Sequence, residues 1–162
     1  MKEFEVRFPK SDLIWIGLIY LGLIALCIFM FVIGKHFRTG VVFSVIVALM
    51  FVATVVPNCL FNLRVSNDTF KVRTKLGKSY EFNIKDIKKV ECSNHNRPKL
   101  GPLYEMIIYT DNNELELNHS MEGFEILADY LLSEYENGEI SNKVISKRNR
   151  DLLTKMSKIK KR

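Results

Sequence analysis

Residues 13–33 read LIWIGLIYLGLIALCIFMFVI and residues 41–61 read VVFSVIVALMFVATVVPNCLF. Neither run contains a charged residue, and each has 21 residues. As a helix at roughly 1.5 Å per residue, each is about 31 Å long. That matches a hydrocarbon core of roughly 30 Å. Seven residues, Gly34-Lys35-His36-Phe37-Arg38-Thr39-Gly40, join the runs, so they must fold back as a hairpin. A chain of 162 residues has little material left to wrap two helices that are apolar all round. The pattern therefore predicts a transmembrane helical hairpin, with spans at about 13–33 and 41–61.

Details within the runs fit that expectation. Ser11 or Asp12 can cap the first helix, and Trp15 sits where an amphipathic ring meets the membrane interface. Gly40, Ser44 and Ala48 recur every four residues and allow close helix packing. Gly17, Gly22 and Ala25 are small partners on the first helix. The stripe serves either the hairpin itself or an oligomer interface. Pro57 and Asn58 mark the exit of the second span.

Outward from the hairpin the chain becomes charged. The formal net charge is +6, but residues 141–162 carry nine Lys/Arg against Asp151 alone, so the other 140 residues sum to −2. The basic character belongs to a tail. Cys27, Cys59 and Cys92 form no Cys-x-x-Cys pair, and their odd number argues against a disulfide framework. Lys2, Arg7 and Lys10 precede the first span, and Arg64, Lys71, Arg73, Lys75 and Lys78 follow the second, against Lys35 and Arg38 in the loop. This distribution predicts both termini on the cytoplasmic side of a multi-pass cell (inner) membrane protein.

Phe4, Val6 and Phe8 alternate with Glu3, Glu5 and Arg7, the mark of a short strand ended by Pro9. Two spans bring the chain back beside it, so this strand is expected to pair with, or cover an edge of, the later sheet. Six short strands then follow, at Phe61–Val65, Thr69–Thr74, Ser79–Phe82, Lys88–Ser93, Leu103–Thr110 and Glu114–Asn118. A turn or single helical turn covers Asn83–Ile87, and a loop covers Asn94–Pro102. Ser120 is expected to cap a helix from Met121 to about Glu136, stopped by Asn137-Gly138. Its apolar stripe is Phe124, Leu127, Ala128, Leu131 and Tyr135. The expected fold class is an α+β membrane protein: strand 1–10, hairpin 11–61, a sheet domain closed by one helix at 62–138, and a tail at 139–162.

The stretch Phe70-Lys71-Val72-Arg73-Thr74, Gly77-Lys78, Glu81-Phe82 and Asp86-Ile87-Lys88-Lys89-Val90, with strands ending in one helix, resembles the pleckstrin-homology superfold. With the span pair before it, the chain is similar to small bacterial two-span membrane proteins carrying a PH-like domain. The resemblance implies an antiparallel sheet or barrel closed by a C-terminal helix. It also implies headgroup binding through basic residues of the first hairpin, here Lys71 and Arg73.

No catalytic, cofactor or metal signature stands out. His36, His95 and His119 lack metal-ligand spacing. There is no Gly-x-Ser-x-Gly element, no phosphate-binding glycine loop and no charge inside the spans. The chain is therefore expected to be non-catalytic and to need no cofactor. The candidate contacts are cationic: Lys71, Arg73, Lys75 and Lys78 in the domain, and Lys147, Arg148, Lys155, Lys158, Lys160 and Lys161 in the tail. Leu152, Met156 and Ile159 share a helical face, so the tail reads as a basic amphipathic segment for an anionic membrane surface. Its lack of aromatics, and confinement by the hairpin, argue against nucleic acid. The expected partners are the bilayer, anionic lipid headgroups, and a membrane or cytoplasmic protein. The leading expectation is membrane-anchored protein or lipid interaction at the cytoplasmic face. The rivals are an accessory or immunity-type subunit of a larger membrane complex, and a membrane enzyme using the domain to bind substrate.

Overall fold

A computed structural model describes residues 3–33, 37–97 and 101–159. The chain divides into two compact units: Phe8–Phe61 with Arg73–Lys78, and the remainder.

The first unit holds the apolar runs as two helices, α1 (Lys10–Ile33) and α2 (Phe37–Leu60). Each begins three or four residues earlier than the apolar pattern alone implied. Ser11 and Asp12 thus lie inside the first turn of α1 instead of capping it, and the Ser11 hydroxyl donates to Asp12 at 3.4 Å. Polar residues add to the start of a helix because its backbone bonds, not its hydropathy, set where it begins. The helices run antiparallel: Tyr20 meets Phe51 edge-on at 5.2 Å, and the Thr54 hydroxyl donates to the Tyr20 oxygen at 3.1 Å. The seam is read from burial. Leu13, Ile16, Gly17, Tyr20, Ile24 and Cys27 on α1, and Ser44, Val47, Phe51, Val55 and Asn58 on α2, are among the shielded positions of the described residues. Their three- and four-residue spacing is that of packed antiparallel helices. Around this seam the helices expose Ile14, Trp15, Leu18, Leu21, Phe29, Phe43, Leu49 and Met50.

The second unit contains two antiparallel sheets and two helices. One sheet has the order β1 (Glu3–Arg7), β2 (Asn62–Ser66), β3 (Thr69–Arg73), β4 (Ser79–Asn83). The other has the order β5 (Lys89–Arg97), β6 (Gly101–Tyr109), β7 (Glu114–Asn118). The sheets stay separate and form no closed barrel. The N-terminal strand pairs antiparallel with β2, Val6 opposite Leu63 and Phe4 opposite Val65. Period-2 alternation places Val6, Leu63, Val65, Phe70 and Val72 inward and Glu5, Arg64 and Lys71 outward. Asn67 and Asp68 both take positive φ in the two-residue turn between β2 and β3, the conformation such hairpins demand. The Asp68 carboxylate accepts a bond from the buried Tyr130 hydroxyl at 2.6 Å, and its carbonyl accepts from the Ile84 N–H at 2.9 Å.

Asn83–Ile87 is the expected helical turn, held by a capping box in which Asn83 and Asp86 bond each other's backbone. The expected loop 94–102 is shorter than the sequence implies. β5 and β6 pair from Lys89–Tyr109 out to Arg97–Gly101, and Pro98 lies outside the described residues. Cross-strand backbone bonds override the polar composition of Asn94 to Arg97.

Helix α3 (Phe124–Glu136) starts three residues later than expected, at a left-handed Gly123. Ser120 does not cap it; its N–H donates to Asn118 in the turn after β7. Phe124, Leu127, Ala128 and Leu131 are buried as the stripe implied, joined by Tyr130, while Tyr135 is half-buried. Helix α4 (Lys147–Met156), capped by Ser146, follows. Ile145, Leu153 and Met156 are fully buried, so the apolar face of the basic segment belongs to the core. Of the predicted face Leu152, Met156 and Ile159, Met156 is thus packed into the core, while Leu152 and Ile159 are half-buried. Asn149 ties α4 to the edge of β5: its amide donates to the Val90 carbonyl at 2.6 Å and its oxygen accepts from the Cys92 N–H at 3.4 Å. An edge strand needs such a partner, because its outer backbone groups otherwise face solvent.

Candidate functional site

The cations of the β3–β4 region fall into two settings. Lys71 is an exposed β3 residue whose ammonium pairs with Glu81 on β4 at 3.2 Å. Such a surface pair contributes little stability and leaves the cation accessible. Arg73, Lys75 and Lys78 belong with the helix pair and are all exposed. They surround a three-residue turn of defined geometry. The Thr74 N–H donates to the Lys78 carbonyl at 2.8 Å, and the Gly77 N–H donates to the Thr74 carbonyl at 2.9 Å. Gly77 has φ +78°, the left-handed position that closes this hairpin loop and favours glycine. Lys75 lies over the Phe8 ring with its nitrogen 5.6 Å from the centroid. At its apex Leu76 is 82% exposed. Leu76 lies between the strands predicted at Thr69–Thr74 and Ser79–Phe82 and is not among the predicted contact residues. The available signal was a bulky apolar residue in a turn flanked by lysines.

Of the tail cations, Lys147, Arg148 and Lys155 are on α4 and Lys158 follows its end. Lys147, Arg148, Lys155 and Lys158 are exposed, opposite the buried Leu153 and Met156. Leu152 and Ile159 are half-buried. Lys160 and Lys161 lie outside the described residues, as do Lys35 and His36 of the interhelical loop. Of the small-residue stripe, Ser44 is half-buried in the seam, Ala48 is exposed, and Gly40 is in the first turn of α2.

A cleft of about 220 Å³ lies beside α4, lined by Glu91, Cys92, Ser93, Ile107, Arg148 and Asn149. Its titratable groups are set against chemistry. Burial pushes the Cys92 thiol up to about 12, so the nucleophilic thiolate is scarce near neutrality. The Glu91 carboxyl is held below its ordinary value by hydrogen bonds from Lys89, at 2.6 Å, and from the Tyr109 hydroxyl, at 3.1 Å. It stays ionised and cannot serve as an acid near neutral pH. The histidines are dispersed: His95 lies 3.5 Å from Glu105, and the His119 Nδ1 accepts from the Tyr104 N–H at 3.3 Å. Among the described residues there is no group of three His, Cys, Asp or Glu side chains placed to hold a metal ion. What the surface offers is exposed positive charge on two elements, one of them with an apolar apex. Comparison with protein-family models, curated proteins and solved structures finds no match for this chain.

Proposed function

We propose that this chain is a non-catalytic, membrane-anchored interaction protein. In this reading α1 and α2 cross the cell membrane as a hairpin, and the α+β unit is PH-like and cytoplasmic. Cations on β3 and α4 of that unit, and those of the β3–β4 turn that belongs with the helix pair, engage anionic lipid or an acidic protein partner. The carrying observation is exposure: the apolar segments Lys10–Phe29 and Val41–Leu60 are each only 6% buried. The core helix of a water-soluble protein would hide such a surface, whereas lipid solvates it. A signal sequence would account for the first helix and leave the second unexplained. The PH-like reading draws support from the chain order, with β1 added to β2 and the strand series ending in α3. Lys/Arg in the flanks support the cytoplasmic placement of both ends.

Membrane fractions extracted with alkaline carbonate test the anchor. The full chain should stay in the pellet and be released by detergent alone; its release by carbonate would reject the reading. Cysteine labelling at engineered positions beside Arg64 and in the interhelical loop, from outside intact cells, tests the orientation. Labelling confined to the loop is expected. Purification in mild detergent tests the rival, since a stoichiometric membrane partner would favour the accessory-subunit role.

A further inference from the structure

We propose that the turn Arg73–Lys78 is an interfacial wedge. Leu76 enters the boundary of an anionic leaflet, and Arg73, Lys75 and Lys78 engage the lipid phosphates. The proposal rests on the membrane reading above and adds a second, non-helical point of bilayer contact to it.

Three independent observations meet in this turn. The first is exposure. Among the described residues outside α1 and α2, the exposed large hydrophobics are Leu76, at 82%, and Ile126, at 47%. Among the described residues, Leu76 is more exposed than any large hydrophobic side chain of the two helices, whose highest value is 67% at Leu21. The second is rigidity. The Thr74–Lys78 and Gly77–Thr74 bonds and the left-handed Gly77 hold Leu76 at the apex, so inserting it costs little ordering.

The third is position. Leu60 is the last residue of α2, and its Cδ1 would lie 3.9 Å from a β-carbon placed on Gly77. Phe8 is two residues before α1; its ring meets Phe61 edge-on at 5.9 Å and lies beneath the Lys75 ammonium. The turn therefore sits at the end of the helix pair where α1 begins and α2 ends. Trp15 follows the start of α1 by five residues, about 8 Å along the axis, and is 66% exposed. Aromatic rings at that depth mark the headgroup level. An apolar apex ringed by Arg73, Lys75 and Lys78, with no acid between residues 73 and 78, has the composition of an element that binds an anionic interface. A protein pocket would also accept leucine, but it would not require the turn to lie against the ends of apolar helices.

Tryptophan quenching in proteoliposomes tests the wedge with the full-length chain. The native protein has one tryptophan, Trp15, which reports the hairpin. A second protein, Trp15→Phe with Leu76→Trp, reports the turn. Leu76 is so exposed that this change leaves the fold intact. Both are reconstituted into phosphatidylcholine vesicles, with or without phosphatidylglycerol, using lipids brominated near the top of the acyl chains. Both reporters should be quenched. The reporter at position 76 should be quenched about twofold more strongly when phosphatidylglycerol is present, an increment removed by Arg73→Gln, Lys75→Gln and Lys78→Gln together. Quenching of Trp15 without quenching at position 76 would overturn the wedge and leave the anchor standing. Equal quenching at position 76 in both vesicle types would remove the anionic preference from the proposal. If neither reporter is quenched, the anchor and the wedge fail together.

Discussion

Gly123 lies against the backbone of Glu5: a β-carbon built on it would stand 2.1 Å from the Glu5 carbonyl oxygen. Gly123 also has φ +80° and precedes the first turn of α3. This close approach joins the start of α3 to β1, where Arg7 and Glu122 exchange backbone bonds of 3.1 and 2.8 Å. Gly123→Ala combines a left-handed penalty with a backbone clash and should cost about 3 kcal/mol or more. The neighbouring Arg7–Glu122 ion pair, 3.2 Å long and partly exposed, is the contrast. Glu122→Gln should cost below about 1 kcal/mol. Urea unfolding of both variants in detergent, followed by far-ultraviolet circular dichroism, measures the difference. Similar losses would show that the backbone approach is not the seam's determining contact.

Burial of Leu153 and Met156 makes α4 structural. Leu153→Ala or Met156→Ala should lower stability by about 2–5 kcal/mol, the usual cost of emptying a packed core site. Lys155→Ala, an exposed change on the same helix, should alter stability by less than about 0.5 kcal/mol. Thermal melts of the three variants decide. A Leu153 variant as stable as the parent would mean that α4 is not docked in solution.

Asn149 bonds both the Val90 carbonyl and the Cys92 N–H. Asn149→Ala leaves two backbone groups of β5 without their partner and should cost about 1–3 kcal/mol. Hydrogen exchange gives the sharper readout, because the amide of Cys92 should lose protection while those of β6 keep theirs. Unchanged protection at Cys92 would remove Asn149 as the cover of that edge.

Cys92 carries a pH signature. The ordinary thiol value is 9.0, and burial pushes this one to about 12. The unfolded chain therefore releases the thiol proton first as pH rises. The group's neutral form leaves stability unaffected below pH 9, and stability falls between pH 9 and 12. The buried Tyr80 hydroxyl, raised by desolvation, acts in the same direction. Wild type should lose more stability than Cys92→Ala between pH about 8 and about 11. At mild alkaline pH the native Cys92 should react with iodoacetamide roughly a thousandfold more slowly than after unfolding, since thiolate is the reacting form. Equal rates before and after unfolding would refute the burial.

The local properties of the chain were legible in its sequence. Two uncharged runs of 21 residues specify two long apolar helices, because hydropathy and length are sums over neighbours. Alternation at Phe4, Val6 and Phe8 and the period of α3 specify strand and helix for the same reason. Tertiary structure decided what each face touches. The apolar face of α4 looks the same whether lipid or a protein core covers it, and Leu153 and Met156 are covered by protein. The chain enters α3 through Gly123 and not Ser120, at a position where the Glu5 carbonyl, distant in sequence, leaves no room for a side chain. Leu76 gains significance only through Phe8 and Leu60, far from it in sequence, which place its turn at the ends of the helices. Periodicity records which residues want shelter; contacts between distant parts of the chain determine which of them find it.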